Sequence, residues 1–178
     1  MRERRAGDRY QLGPNPFRPG FGLRTDPFCR DSRASYTSPP VRTARTSMKH
    51  LKPREAQEFL HTHPDALFVD CRSEMEYLFV GHPLGALHVA WNDGPDWEIN
   101  PHFVGQVKRL AGTNHTKRSI LLICRSGNRS VDAGIALEQA GFTDVYNVLH
   151  GFEGDLDDEH HRGSKNGWRF DGLPWEQC

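Results

Sequence analysis

The chain has 178 residues, enough for one domain that buries a real core without disulfide support. Its 23 Lys and Arg balance its 23 Asp and Glu, so overall charge selects neither nucleic acid nor a membrane surface as partner. No apolar run approaches membrane-spanning length.

The charge is unevenly placed. Ten arginines against four acidic residues precede Met48, giving that segment +6 and the remainder −6. Residues 1–47 contain GPNPFRPGFG and YTSPPVRTARTS, rich in Gly, Pro, Ser and Arg, with no sustained period of two or 3.6. Such a segment buries too little apolar surface to offset its ordering entropy, so a disordered basic tail is expected. The alternatives are a gene-model artefact, with Met48 as the true start, or a basic targeting or docking arm. The opening MRERRAGDRY has charges and no apolar core, unlike a secretory signal. The four cysteines, Cys29, Cys71, Cys124 and Cys178, form no CxxC pair and are sparse. A reduced, cytoplasmic setting is the expectation.

From Met48 onward helix and strand patterns alternate. LKPREAQEFLHTHP predicts a short helix with Pro53 in its first turn, stopped by Pro64. ALFVDC predicts a buried strand. SEMEYLFVG predicts a short helix entered through Ser73, with Glu76 placed to complete a cap. HVAW predicts a strand and PHFVGQVKRLAG a helix closing near Gly112. SILLIC, the most apolar strand, leads into a helix over RSVDAGIALEQAGF, and DVYNVL is the last strand. This alternation implies a parallel sheet covered on both faces.

The loop after SILLIC carries the chemistry. A buried parallel strand ends at Cys124, at the carboxyl edge where open α/β sheets place their sites. Arg125, Ser126, Gly127 and Asn128 then turn the chain into a helix that begins with Arg129 and Ser130. Gly127 and Asn128 tolerate unusual backbone angles, and a loop curled this way aims several N–H groups inward as an anion nest. The following helix adds the positive end of its dipole, and Arg125 and Arg129 add full charges. Each of these features favours the thiolate of Cys124 and an anionic substrate. The plain alternative is a small core cysteine before an ordinary glycine turn.

DCRSEMEYLFVGHPLGALHVAW, followed by ICRSGNRS and DVYNVLHGFEG, resembles a single rhodanese domain from about residue 50 to 178. The resemblance implies a central five-stranded parallel sheet flanked by helices on both faces. It also implies a sulfurtransferase whose cysteine accepts sulfane sulfur and passes it to a nucleophile. Carried over by position, Cys124 is the persulfide carrier and Arg125, Ser126, Gly127, Asn128, Arg129 and Ser130 form the substrate cradle. The family's first-motif Asp and Arg fall on Asp70 and Arg72. Such chemistry takes a small anionic donor such as thiosulfate and a thiol or protein persulfide partner, and needs neither metal nor organic cofactor. HRGSKNGWR followed by GLPWEQ resembles the C-terminal extension of some bacterial members. It is expected to fold back beside the active loop, with Trp168 or Trp175 covering apolar surface.

Two other functions compete. Cysteine phosphatases and arsenate reductases of similar fold place an arginine six residues after the cysteine. Here that position is Ser130, and Arg129 comes one place early. A non-catalytic interaction module is the rival of a different class, and the presence of Cys124 argues against it. Among the supporting residues, Arg72 is expected to pair with Glu76, tying the short helix to the sheet edge, while Asp70 is available to orient loop amides. His82 is expected as a turn residue bonded to backbone. Asp70 and Cys71 point to opposite faces, so if Asp70 faces the loop, Cys71 faces away. Asp155, Asp157, Asp158, Glu159, His160 and His161 match no calcium or zinc spacing and read as a solvated loop.

Overall fold

Short apolar runs such as ILLI leave their backbone groups no partner except a neighbouring strand. The computed structural model describes residues 48–178, and the tail expected over residues 1–47 lies outside the described residues. Five strands form one all-parallel sheet: β1 (Lys49–Leu51), β2 (Leu67–Asp70), β4 (Leu87–His88), β5 (Ile120–Ile123) and β6 (Val145–Val148). Their order is β1-β6-β5-β2-β4, so β5 runs through the centre. Helices α1 (Pro53–Thr62), α2 (Phe103–Ala111) and α3 (Arg129–Gln139) supply the crossovers. The expected α/β architecture, a five-stranded parallel sheet with helices on both faces, is the observed one.

Residue alternation along the strands divides the core. Leu67, Val69, Ile120, Leu122 and Val145 face Phe103 and Val107 of α2 and Ala133 and Leu137 of α3. Phe68, Leu121, Ile123, Tyr146 and Val148 face Ala56 of α1, Phe152 and Trp168. Two-sided burial explains why these strands read as continuous apolar runs.

Three elements differ from expectation. The helix expected over LKPREAQEFLHTHP would take in Leu51, which belongs instead to β1. This is a three-residue edge strand whose exposed Lys49 and His50 give no alternating signal. The expected HVAW strand is only Leu87–His88, although Val89 N–H still donates to Asp70 O and Trp91 N–H to Cys71 O. The segment after Ser73 is a π-helical turn, Glu76–Val80. Its entry is reciprocally capped: Glu76 N–H donates to Ser73 Oγ (3.2 Å), and Ser73 N–H donates to Glu76 Oε2 (3.0 Å).

The C-terminal extension folds back as the resemblance implies. Trp168 is buried with its ring 5.3 Å from that of Phe68, and its Nε1–H donates to Pro174 O. β7 (Trp175–Glu176) pairs antiparallel with β3 (His82–Pro83). Between Gly154 and Trp168 the acidic, His-containing segment is a loop tied to itself. Asp157 accepts from the Glu159 and His161 amides and from Ser164 Oγ. Asn166 bonds both the amide and the carboxylate of Asp155. These carboxylates are committed to loop donors, and no group of three potential metal ligands occurs among the described residues.

Candidate active site

Cys124 lies one residue beyond β5, buried, with the loop 124–128 curled around its sulfur. The Gly127 N–H donates to Sγ at 3.1 Å and the Ser130 hydroxyl at 3.2 Å. Gly127 achieves this at φ +91°, and an added Cβ would sit 3.1 Å from His150 N and 3.2 Å from Val148 O, so glycine is required twice over. Asn147 of β6 holds the loop from behind, its Nδ2 3.3 Å from Gly127 O. α3 starts at Arg129 and directs its N-terminal end at the same sulfur.

The thiol is pulled down to about 5. The largest contribution is a hydrogen bond from Cys71. Burial opposes it, and the Ser130 hydroxyl and the amides of Ser130 and Ser126 add to it. Hydrogen bonds from a thiol, a hydroxyl and backbone amides are thus the groups that favour the thiolate form of Cys124.

Both arginines of the expected cradle make contact with Glu76. Arg129 grips Glu76 in a bidentate pair, Nη1 to Oε2 at 2.8 Å and Nη2 to Oε1 at 2.6 Å, while its charge remains in electrostatic range of Cys124 and Cys71. Burial pushes the Glu76 carboxyl up, but Arg129 and Ser73 outweigh it and bring it to about 2. Arg125 is half exposed, with its Nε 4.0 Å from the same carboxylate. The expected Arg72–Glu76 pair is absent because each has a better partner. Arg72 is wholly buried against Asp70, with Nε to Oδ1 at 3.0 Å and Nη2 to Oδ2 at 2.7 Å. Its Nη2 also donates to Gly81 O at 2.6 Å, and its guanidinium lies 4.3 Å from the centre of the Phe152 ring. Asp70 thus braces Arg72 on the α1 face and does not orient the Cys124 loop.

Cys71 is likewise corrected. Asp70 and Cys71 do point to opposite faces, but it is Cys71 that shares the Cys124 face, under α2 and α3. Its thiol lies 3.1 Å from Ile123 O and in hydrogen-bonding reach of Cys124. His82 lies in β3 and not in a turn, but it does bond to backbone as expected: its Nδ1 is 3.1 Å from Tyr77 O, and its ring stacks on Tyr77. Asn128 precedes α3 and makes no side-chain cap. Cys178 is exposed at the chain end.

Sequence reasoning gave no role to the segment after β6. Phe152 N–H donates to Cys124 O (2.8 Å) and Glu153 N–H to Arg125 O (3.0 Å), stitching 151–153 onto the active loop. At Gly151, φ is +59° and an added Cβ would lie 2.2 Å from Cys124 O. The GFEG run shortly after β6 was the available signal. A cleft of about 290 Å³ opens beside Glu153, lined also by Arg162, Gly163, Arg169 and Trp175. A larger cleft of about 640 Å³ follows the loop after β4 and is lined by no residue of the 124–130 loop.

Comparisons with known proteins agree with this geometry. The family model described as Rhodanese-like domain matches residues 52–157. A crystal structure of the M. tuberculosis protein Rv0390 is 40% identical, with a TM-score of 0.65, over 73% of this chain and 98% of that one. An uncharacterized protein of Rickettsia conorii is 28% identical over 135 residues, 73% of this chain and 98% of its own. Thiosulfate sulfurtransferase 16, chloroplastic, of Arabidopsis thaliana is 31% identical over 109 residues, 60% of this chain and 77% of its own. With more than half its length matched, the chain belongs to the rhodanese-like domain family.

Proposed function

We propose that the protein is a sulfurtransferase that moves sulfane sulfur from thiosulfate or a persulfide donor to a thiophilic acceptor through Cys124. The observation that carries this reading is the buried Cys124 sulfur, held as thiolate by loop amides and the Ser130 hydroxyl. The thiolate attacks the outer sulfur of thiosulfate, and the S–S bond breaks with its electron pair leaving on sulfite. The product, Cys124–S–S⁻, keeps the negative charge within reach of the same amides, so the nest serves reactant and intermediate alike. An acceptor thiolate or cyanide then takes the outer sulfur, and Cys124 departs as thiolate. Arg125, half exposed at the rim and only 4.0 Å from the Glu76 carboxylate, supplies positive charge to attract the donor. The free thiols of Cys71, Cys124 and Cys178 suit the reducing, cytoplasmic setting we propose.

Phosphoryl or arsenate chemistry is disfavoured. The residue six after Cys124 is Ser130, whose hydroxyl points at the sulfur, and the Arg129 fork is occupied by Glu76. The test is intact-protein mass spectrometry after brief incubation with excess thiosulfate. The expected result is the added mass of one sulfur atom, mapped to Cys124, removed by cyanide and abolished in Cys124→Ser. Aryl phosphates and arsenate should not turn over. Wild-type protein that takes up no sulfur from thiosulfate or any persulfide donor would overturn the reading in favour of an interaction module.

A further inference from the structure

β2 and β5 run parallel, and their register pairs Asp70 with Ile123. One step further along both strands stand Cys71 and Cys124, linked across the edge by the Cys71 N–H donating to Ile123 O at 2.9 Å. Side chains at matched positions of neighbouring strands leave the sheet on the same face, and both cysteines belong to the cluster under α2 and α3. Neighbouring strands lie about 4.7–4.9 Å apart, inside the roughly 4.4–6.8 Å of Cα separation that a disulfide spans. Both thiols are free, and Cys71 is fully buried. The persulfide mechanism gives Cys71 no covalent role.

We propose that Cys71 is a resolving thiol, which attacks Sγ of a sulfur-loaded Cys124, closes a Cys71–Cys124 disulfide and expels the outer sulfur as hydrosulfide. The inference rests on the persulfide reading of Cys124. The bond between Sγ and the outer sulfur breaks, and its electron pair leaves with the outer sulfur. The new bond uses an electron pair of Cys71, whose thiol proton goes to the departing sulfide. Cys71 is oxidised as the sulfane sulfur is reduced, so the step needs no further redox partner. An external dithiol then reopens the disulfide. In the unloaded chain, burial and the adjacent Cys124 thiolate keep Cys71 a neutral thiol, because two anions cannot share that space. Loading shifts the negative charge one atom outward and turns Sγ into an electrophilic disulfide-type sulfur. The same thiol is a hydrogen-bond donor before loading and a nucleophile after it.

The experiment loads the full chain with thiosulfate, removes the donor by gel filtration, and follows it anaerobically without acceptor. The expected course in wild type is loss of the added sulfur, release of one equivalent of hydrosulfide, and a peptide cross-linked between Cys71 and Cys124. Cys71→Ser and Cys71→Ala should hold the persulfide at least about tenfold longer, in line with loss of a neighbouring nucleophile. A second arm treats the unloaded wild type with one equivalent of the thiol oxidant diamide, which should close the same link without any sulfur transfer. Failure of diamide to close it overturns the pair whether or not the variants fold. A chain that loads and then keeps its sulfur with Cys71 reduced overturns this inference alone. A chain that never loads overturns the persulfide reading as well.

Discussion

Two charged groups are buried at one edge of the sheet, on its opposite faces, and they are handled in opposite ways. Under α2 and α3, the Cys124 thiolate is met by amides, a hydroxyl and a thiol. On the α1 face, Asp70 is met by a full guanidinium, and Arg72 in turn by Gly81 O and the Phe152 ring. Dipoles stabilise an anion without cancelling it, so its lone pair stays available for reaction. An ion pair cancels the charge and fixes the geometry, which serves a brace and would quench a nucleophile. Arg129, expected at the anion, joins the second kind of arrangement through Glu76.

The comparison can be broken most forcefully at the brace. Arg72→Met leaves Asp70 buried without its cation, and removing one member of such a pair costs about 3–5 kcal/mol. Urea unfolding should show that loss, and Asp70→Asn combined with Arg72→Met should recover part of it. A double variant no better than the single would mean that Arg72 acts through Glu153, Gly81 and Phe152 instead.

A pH titration sharpens the other side. An unfolded cysteine ionises near 8.5, and folding brings Cys124 down to about 5. Its contribution to stability is therefore complete above about pH 8.5 and is lost as pH falls through about 5. The stability difference between wild type and Cys124→Ser should shrink steadily as pH falls across that window. Thiolate ultraviolet absorbance, read as the same difference, should disappear near pH 5. A midpoint near 8 would show that the nest does not hold the anion.

Arg129 tests the division of roles directly. Arg129→Ala leaves Glu76 short of its partner, which costs about 1–3 kcal/mol for an unsatisfied buried group. Stability should fall by that amount, and adding Glu76→Ala should restore much of it, the mark of a coupled pair. Thiosulfate turnover should fall by about tenfold or less, through displacement of the 73–76 cap. A larger kinetic loss with unchanged stability would place Arg129 on the substrate after all.

The smallest effect is expected at the other end. Met48 is buried beside Gly134 of α3, so a chain beginning at Met48 retains the first core residue. Its melting temperature and sulfur uptake should match those of the full chain, within about 0.5 kcal/mol in stability. A clear drop would show that residues before Met48 pack on the domain.

Much of this molecule is legible in the sequence because the signals are local. The runs LFVD and ILLI, the Ser73–Glu76 cap, and the Cys124 turn into α3 all depend on neighbours a few residues away. Such features follow from alternation, capping and turn chemistry wherever the chain is placed. What the sequence by itself could not decide are the partners drawn from distant segments. Arg72 is within range of both Asp70 and Glu76, and the π-helical turn together with Arg129, 53 residues from Glu76, settled that choice. Opposite pointing of Asp70 and Cys71 is a property of any strand. Whether Cys71 or Asp70 shares the face of Cys124 depends on the register of β2 against β5, and a slip of one residue would exchange them. The same is true of Gly151, an ordinary glycine until the chain leaving β6 is pressed against the Cys124 carbonyl. Local geometry specified the nucleophile, and only tertiary packing assigned it a thiol neighbour, a brace on the opposite face and an arginine committed to Glu76.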